Sequence, residues 1–199
     1  MKAAVFLDRD GTVSEEVGYV NHIDRFRIFP WSGPALHKLN EAGPATVLVT
    51  NQSGVARGYF PESLVAEIHG RLLAELTLSG ARLDAIYYCP HHPEGKVAEF
   101  RRTCDCRKPA PGMIRRAAAD LDLDLRSSFV VSDRYQDLSM GFADGARGIL
   151  LLTGYGKGEY HYHRDTWPRP PAFVAVDLLE ASEWILSQID DRTAGRASG

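Results

Sequence analysis

The sequence predicts an α/β protein, with a parallel sheet between two layers of helices in a three-layer, Rossmann-like arrangement. Three observations carry that prediction. Short apolar, β-branched runs alternate with longer helix-like segments, the pattern of βαβ units on a parallel sheet. Polar and acidic residues follow directly on several of those runs, at the strand ends where open parallel sheets bind ligands. The length of 199 residues suits one domain with a full hydrophobic core.

The strand candidates, in order, are residues 3–7, 45–50, 85–89, 129–132 and 148–152. The helix candidates are 33–42, 61–78, 111–121, 136–143 and 178–189. In 61–78 the residues Leu64, Val65, Ile68, Leu72, Leu73 and Leu76 recur at helical spacing. Residues 1–190 read as a single domain without internal repeat or linker. The small, polar stretch 191–199 reads as a disordered tail. The segment 154–171 contains His161-Tyr162-His163 but is rich in Gly, Pro and aromatic residues, and it reads as a surface loop rather than a metal pair.

The most informative stretch is Asp8-Arg9-Asp10-Gly11-Thr12, directly after the apolar run Ala3-Ala4-Val5-Phe6-Leu7. Two carboxylates at the end of a buried strand repel each other, and burying either requires a cation or hydrogen-bond donors. A divalent cation meets that need, leaving one carboxylate to act as nucleophile and the other as acid/base. The rest of the composition narrows the field. Net charge is −3 with no basic block, which argues against nucleic acid as a partner. The N-terminal apolar run is too short for a signal-peptide core or a membrane span. Three cysteines cannot form a fully paired disulfide set, so the expected compartment is the cytoplasm.

All three cysteines fall in one cluster, Cys89-Pro90-His91 followed by Cys104-Asp105-Cys106. Three thiolates and an imidazole suit tetrahedral Zn²⁺, and a closed Cys₃His set is a structural arrangement. His92 is the alternative to His91 as fourth ligand.

Four separated pieces, Leu7-Asp8-Arg9-Asp10-Gly11-Thr12, Val49-Thr50-Asn51, Lys108-Pro109 and Val131-Ser132-Asp133 with Asp137, together resemble the haloacid dehalogenase (HAD) superfamily of aspartate-nucleophile phosphatases. The resemblance covers nearly the whole chain. It implies Asp8 as nucleophile, forming an aspartyl-phosphate, and Asp10 as acid/base. It implies Mg²⁺ held by Asp8, Asp133 and the Asp10 backbone carbonyl. Thr50 and the Asn51 N–H would grip phosphoryl oxygens, Lys108 would neutralise charge, and Asp137 would orient Lys108. Ser132 departs from the family pattern, which usually has Gly before the last metal-binding Asp, so its effect on Mg²⁺ binding is open.

Within the superfamily, Gly18-Tyr19-Val20, Asn51-Gln52-Ser53-Gly54-Val55-Ala56-Arg57-Gly58, the run 89–95 and Cys104-Asp105-Cys106-Arg107-Lys108-Pro109 resemble the zinc-loop subgroup. Its members act on a heptose 1,7-bisphosphate, removing the 7-phosphate, or on histidinol phosphate. The segment after Asn51-Gln52 favours the heptose bisphosphate. Its second phosphate needs cations of its own, for which Arg107, Arg134 and Arg57 are candidates, with Gln52 and Ser53 also at the substrate. No segment between Thr12 and Thr50, or between Asn51 and Lys108, is long enough for an inserted cap domain. The expected site is therefore open and rimmed by loops 15–29 and 53–60 and by the zinc loop. A monomer acting on a small sugar phosphate, with no membrane partner, is expected. The reading of another class, a non-catalytic zinc-binding module, is opposed by the acidic net charge and by the intact Asp8, Asp10, Thr50, Lys108 and Asp133 set.

Overall fold

The structure is a computed structural model that describes residues 1–197, with side chains through residue 189. Its centre is a six-stranded sheet built from β1 (Ala4–Leu7), β2 (Ala45–Asn51), β3 (Ala85–Cys89), β4 (Phe129–Ser132), β5 (Arg147–Leu151) and β6 (Phe173–Ala175). Every pairing is parallel, and the strand order is β3-β2-β1-β4-β5-β6. The helices are α1 (Ser32–Ala42), α2 (Gly54–Arg57), α3 (Glu62–Leu78), α4 (Gly112–Leu121), α5 (Tyr135–Phe142), α6 (Gly156–His163) and α7 (Leu178–Ala197).

Strand alternation explains the three layers, because successive side chains of a strand face opposite sides of a sheet. Val5 and Leu7 of β1 join a core with Leu36 and Leu39 of α1, Ile68 and Leu72 of α3, and Ile185 of α7. Ala4 and Phe6 join a second core with Met113 and Ile114 of α4 and Leu138 of α5. All four β1 residues are buried, so the strand is apolar on both faces, as a central parallel strand must be. The strand order reverses between β1 and β4, which opens a crevice beyond their carboxyl ends.

Expected and observed elements differ at three places. The edge strand β6 was not anticipated. Segment 154–171 is not simply a loop: it carries α6, whose residues His161 and His163 are exposed. The loop at 53–60 contains the single helical turn α2. The helical backbone of α7 runs to Ala197. The polar tail expected over 191–199 falls on residues whose side chains, and at 198 and 199 whose backbone, lie outside the described residues. No helix among the described residues is long and apolar enough to cross a membrane.

Candidate active site

Beyond β1 the chain folds into a tight turn around the Arg9 carbonyl, which accepts the Thr12, Val13 and Ser14 N–H groups at 3.3, 2.9 and 2.9 Å. Gly11 sits in this turn with φ +80°, and a Cβ there would run into the Asp133 carboxylate. Glycine is therefore required twice over, by backbone conformation and by the close approach of β4.

Asp8 is buried at the strand end, and its Oδ1 lies 2.7 Å from the Lys108 Nζ. The same ammonium lies 2.8 Å from Asp137 Oδ2. Burial pushes the Asp8 carboxyl up to about 8; Lys108 pulls against this, while Asp137 and Asp133 add to it. Burial alone would depress Lys108, but Asp137 and Asp8 outweigh it and the amine is raised, so it stays charged. An ammonium has three donors, and two carboxylates leave one for an incoming oxygen. Ser132 extends the chain of contacts: its hydroxyl donates to Asp137 Oδ2 at 3.3 Å and accepts the Arg134 N–H at 3.1 Å.

Asp133 is fully buried on the neighbouring strand end. Its Oδ2 accepts the Tyr155 N–H at 2.8 Å, whereas Oδ1 has no partner among the described residues. Burial pushes this carboxyl up to about 7. Two desolvated carboxylates with an orphaned acceptor oxygen fit a divalent cation bound through hard oxygens, which would favour both ionised forms.

On the other side, β2 ends in Thr50 and Asn51. Gln52 Nε2 donates to Thr50 Oγ1 at 2.9 Å and to Asp10 Oδ2 at 3.1 Å. The Asn51 side chain clasps the backbone of Lys108, donating to its carbonyl at 3.1 Å and accepting its N–H at 3.0 Å. The sequence had pointed to the Asn51 backbone, and the clasp by its side chain was not foreseen. Also unforeseen were Thr153, whose hydroxyl donates to the Gly11 carbonyl at 2.5 Å, and Tyr155, which serves Asp133. Their only sequence signal is their position just after the fifth strand, where the rim rule would have flagged them.

Asp8, Asp10, Thr50, Asn51, Gln52, Lys108, Asp137 and Tyr155 line one cavity of about 590 Å³, together with Ser53, Arg107 and Arg134, while Asp133 and Ser132 are buried behind its wall. Arg134 stacks 3.9 Å over the Tyr155 ring. Arg57 is not among the lining residues; its Nη2 lies 2.8 Å from His92 Nε2, and His92 does line the cavity. Glu16, half-buried, is a further carboxylate of the wall, and burial raises it. Among the described residues no inserted domain covers the opening, and residues of loops 15–29 and 53–60 and of the cysteine loop contribute to its wall.

Beside the cavity, Cys89, His91, Cys104 and Cys106 bring their ligand atoms within 4.8 Å of one another and could hold a metal ion. The sulfur separations of 3.2 to 3.5 Å are shorter than the edge of about 3.8 Å of a tetrahedron with Zn–S of about 2.3 Å, so the thiols would spread slightly around such an ion. His91, not His92, completes the group. Burial pushes the Cys89 and Cys106 thiols up, so thiolates here need a cation.

A carboxylate nucleophile candidate paired with lysine, a second carboxylate two residues on, and a cation cradle on adjacent strand ends define a phosphoryl-transfer hydrolase of the HAD-like class. The comparisons agree. A family model described as HAD-hydrolase-like matches residues 105–181. Over 188 residues the chain is 40% identical to the D-glycero-beta-D-manno-heptose-1,7-bisphosphate 7-phosphatase of Yersinia pestis, spanning 94% of this chain and 92% of that one. It is 48% identical over 168 residues to the Pasteurella multocida protein of that name, spanning 81% and 91%. The crystal structure of D,D-heptose 1,7-bisphosphate phosphatase from B. bronchiseptica, complexed with magnesium and phosphate, superposes with a TM-score of 0.82. The two are 34% identical, over 94% of this chain and 99% of that one. The chain belongs to this family of HAD-like phosphatases.

Proposed function

We propose that the protein is a one-domain, Mg²⁺-dependent phosphatase that removes the 7-phosphate of D-glycero-D-manno-heptose 1,7-bisphosphate. The observation that carries this reading is Asp8, buried at the end of β1, 2.7 Å from Lys108 and beside the orphaned oxygen of Asp133. The relatives' names supply the substrate, and their near full-length alignment supports the transfer.

Asp8 attacks phosphorus, and the bond to the 7-oxygen breaks. Asp10 gives that oxygen its proton, leaving an aspartyl-phosphate and a free alcohol. Asp10, now ionised, takes a proton from the water that attacks the aspartyl-phosphate, releasing inorganic phosphate and restoring Asp8. Thr50 and the Asn51 N–H hold phosphoryl oxygens while Lys108 balances the charge on them, and electrostatic positioning of this kind is most of what phosphoryl transfer requires. Asp8, Asp133 and the Asp10 carbonyl would hold Mg²⁺, which supplies charge neutralisation at the phosphoryl oxygens when bound. Arg107 and Arg134, on the cavity wall, would take the phosphate that does not react, with Gln52 and Ser53 beside them. Arg57 would act on substrate only through His92.

Cys89, His91, Cys104 and Cys106 would hold Zn²⁺ as a structural ion, and three reduced thiols suit the cytoplasm. The protein would act as a monomer on this small sugar phosphate. The test is kcat/KM on heptose 1,7-bisphosphate against histidinol phosphate, with Mg²⁺ present. A preference for the heptose of at least about 100-fold is expected, the scale a site built for a second phosphate and hydroxyls can reach. A preference for histidinol phosphate would overturn the substrate, and no phosphate release from either would overturn the enzyme.

A further inference from the structure

Arg9 stands between the two catalytic aspartates in sequence, yet it is the largest of the fully buried side chains, 1% exposed. Its guanidinium forks onto Asp10, with Nε donating to Oδ1 at 3.0 Å and Nη2 to Oδ2 at 2.8 Å. Nη1 is buried with no partner among the described residues. An ion pair taken out of water with one donor left unsatisfied is a poor stabilising device, and an apolar side chain of similar volume often does as well or better. The guanidinium carbon lies 5.9 Å over the Phe26 ring, a contact too modest to account by itself for a buried, incompletely satisfied arginine.

The geometry around Asp10 accounts for it. Its carboxylate receives three donors, the two from Arg9 and Gln52 Nε2 on Oδ2 at 3.1 Å, and it shares the single Ser14 hydroxyl hydrogen, 3.3 Å from Oδ1, with the Arg9 carbonyl at 3.2 Å. A planar fork fixes the plane of the carboxylate as well as its position, which a single donor cannot do. Arg9 lies behind Asp10, buried and away from the cavity, whereas Gln52 lines the cavity. The fixed side of the carboxylate is therefore the buried one, and the replaceable donor faces the substrate. Gln52 does a second thing. By donating to Thr50 Oγ1 it obliges the Thr50 hydroxyl hydrogen to point elsewhere, so the phosphate grip and the acid/base share one amide.

We propose that Arg9 is the positioning residue for the acid/base Asp10, and that Gln52 ties this carboxylate to Thr50, yielding its place on Oδ2 when the leaving oxygen arrives. This rests on the reading of Asp10 as acid/base. The fork holds Asp10 in the orientation from which its proton reaches the leaving oxygen and from which it then meets the attacking water.

Leaving-group dependence tests this in a way that a structural role would not move. kcat/KM reports events only through formation of the aspartyl-phosphate. A sugar phosphate must have its alkoxide protonated in that step, and 4-nitrophenyl phosphate need not. With the full chain and Mg²⁺, Arg9→Met should lower kcat/KM on heptose 1,7-bisphosphate by about 100-fold or more, and on 4-nitrophenyl phosphate by less than about tenfold. Equal losses on the two substrates, or no loss on either, would overturn the proposal. If Arg9→Met does not fold, Gln52→Leu serves instead: a split in the same direction of about tenfold supports the linkage, and its absence overturns it. Asp10→Asn, measured alongside, separates the two levels. No split in Asp10→Asn removes the acid/base reading itself, whereas a split there without one in the Arg9 or Gln52 variants removes only the positioning role.

Discussion

Asp8 and Asp133 stand on the ends of adjacent strands, where the β1–β4 ladder and the Asp8 N–H to Val131 carbonyl bond of 3.0 Å set their spacing. In the cysteine cluster, only Cys89 belongs to a strand; His91, Cys104 and Cys106 ride on irregular chain. Both regions collect groups that repel when ionised. At the strand ends the sheet holds them whether or not a cation is bound, so a cation there changes charge more than shape. In the cysteine loop the ligands themselves are the cross-links, so an ion there decides shape. Lys108 belongs to both regions, two residues after Cys106 and clasped by Asn51 of β2.

The largest effect that separates the two regions is chemical. Asp8→Asn should reduce turnover to the detection limit, because uncatalysed phosphate monoester hydrolysis is extraordinarily slow. Its melting temperature, and whatever metal the cysteine loop binds, should stay near wild type. Phosphate release within about tenfold of wild type would show that Asp8 is not the nucleophile. The reverse signature belongs to the loop. With Zn²⁺ held in this loop as proposed, Cys106→Ser, or a chelator, should lower the melting temperature by about 10 °C or more, since a structural zinc supplies folding free energy directly. Activity should fall with it, as Arg107 and Lys108 lose their preorganisation. A folded protein with no bound metal and full activity would show that the cysteine loop needs no ion for its shape.

A pH series sharpens the comparison further. Burial raises Asp8 to about 8 and Asp133 to about 7 from an ordinary 3.8. Without Mg²⁺, the folded protein holds protons that the unfolded chain has already released between pH about 4 and 8. Stability therefore falls as pH rises through that window. Mg²⁺ needs the ionised pair, so its stabilisation should grow over the same range. Thermal melts with and without Mg²⁺ at pH 5.5 and 8.5 should give the larger shift at 8.5; a larger shift at 5.5 would contradict the burial argument. The smallest effect is expected at Ser132→Gly, which removes the hydroxyl that bonds Asp137 and caps the Arg134 N–H. Stability should drop by about 1 kcal/mol in denaturant titrations, with kcat within about threefold, because Lys108 keeps both carboxylates. A tenfold fall in kcat would place Ser132 closer to the chemistry than its contacts suggest.

Much of this was legible before the structure. Five strands and five helices announce themselves by apolar runs and periodicity, and the rim rule gathers Asp8, Thr50 and Asp133 from distant parts of the chain. What was missed has little local signal. The strand β6 is three residues at a sheet edge, too short to show alternation. The helix α6, Gly-Lys-Gly-Glu-Tyr-His-Tyr-His, has no apolar stripe. It is held from outside: Glu159 accepts the Tyr135 N–H at 2.6 Å, and nearby Trp167 stacks on Tyr135 at 4.3 Å. Arg57 lacks the flanking catalytic residue that marks Arg107 and is the weaker candidate by sequence, and in the structure His92 occupies it away from the cavity wall.

The sequence by itself determined the inventory of the chemistry: two aspartates after a buried strand, a lysine, a hydroxyl, and three thiols with an imidazole that could hold a metal ion. Residue type carries that information, because a buried carboxylate or a cluster of thiols has few stable uses without a cation. Only the tertiary structure decided who holds whom. That Arg9 turns back onto Asp10, that the Asn51 side chain clasps Lys108, and that Gln52 joins Thr50 to Asp10 all depend on distances of about 3 Å. Some of those contacts run between residues as many as 57 apart in the chain. No local pattern encodes such a distance; packing on both faces of the sheet sets it.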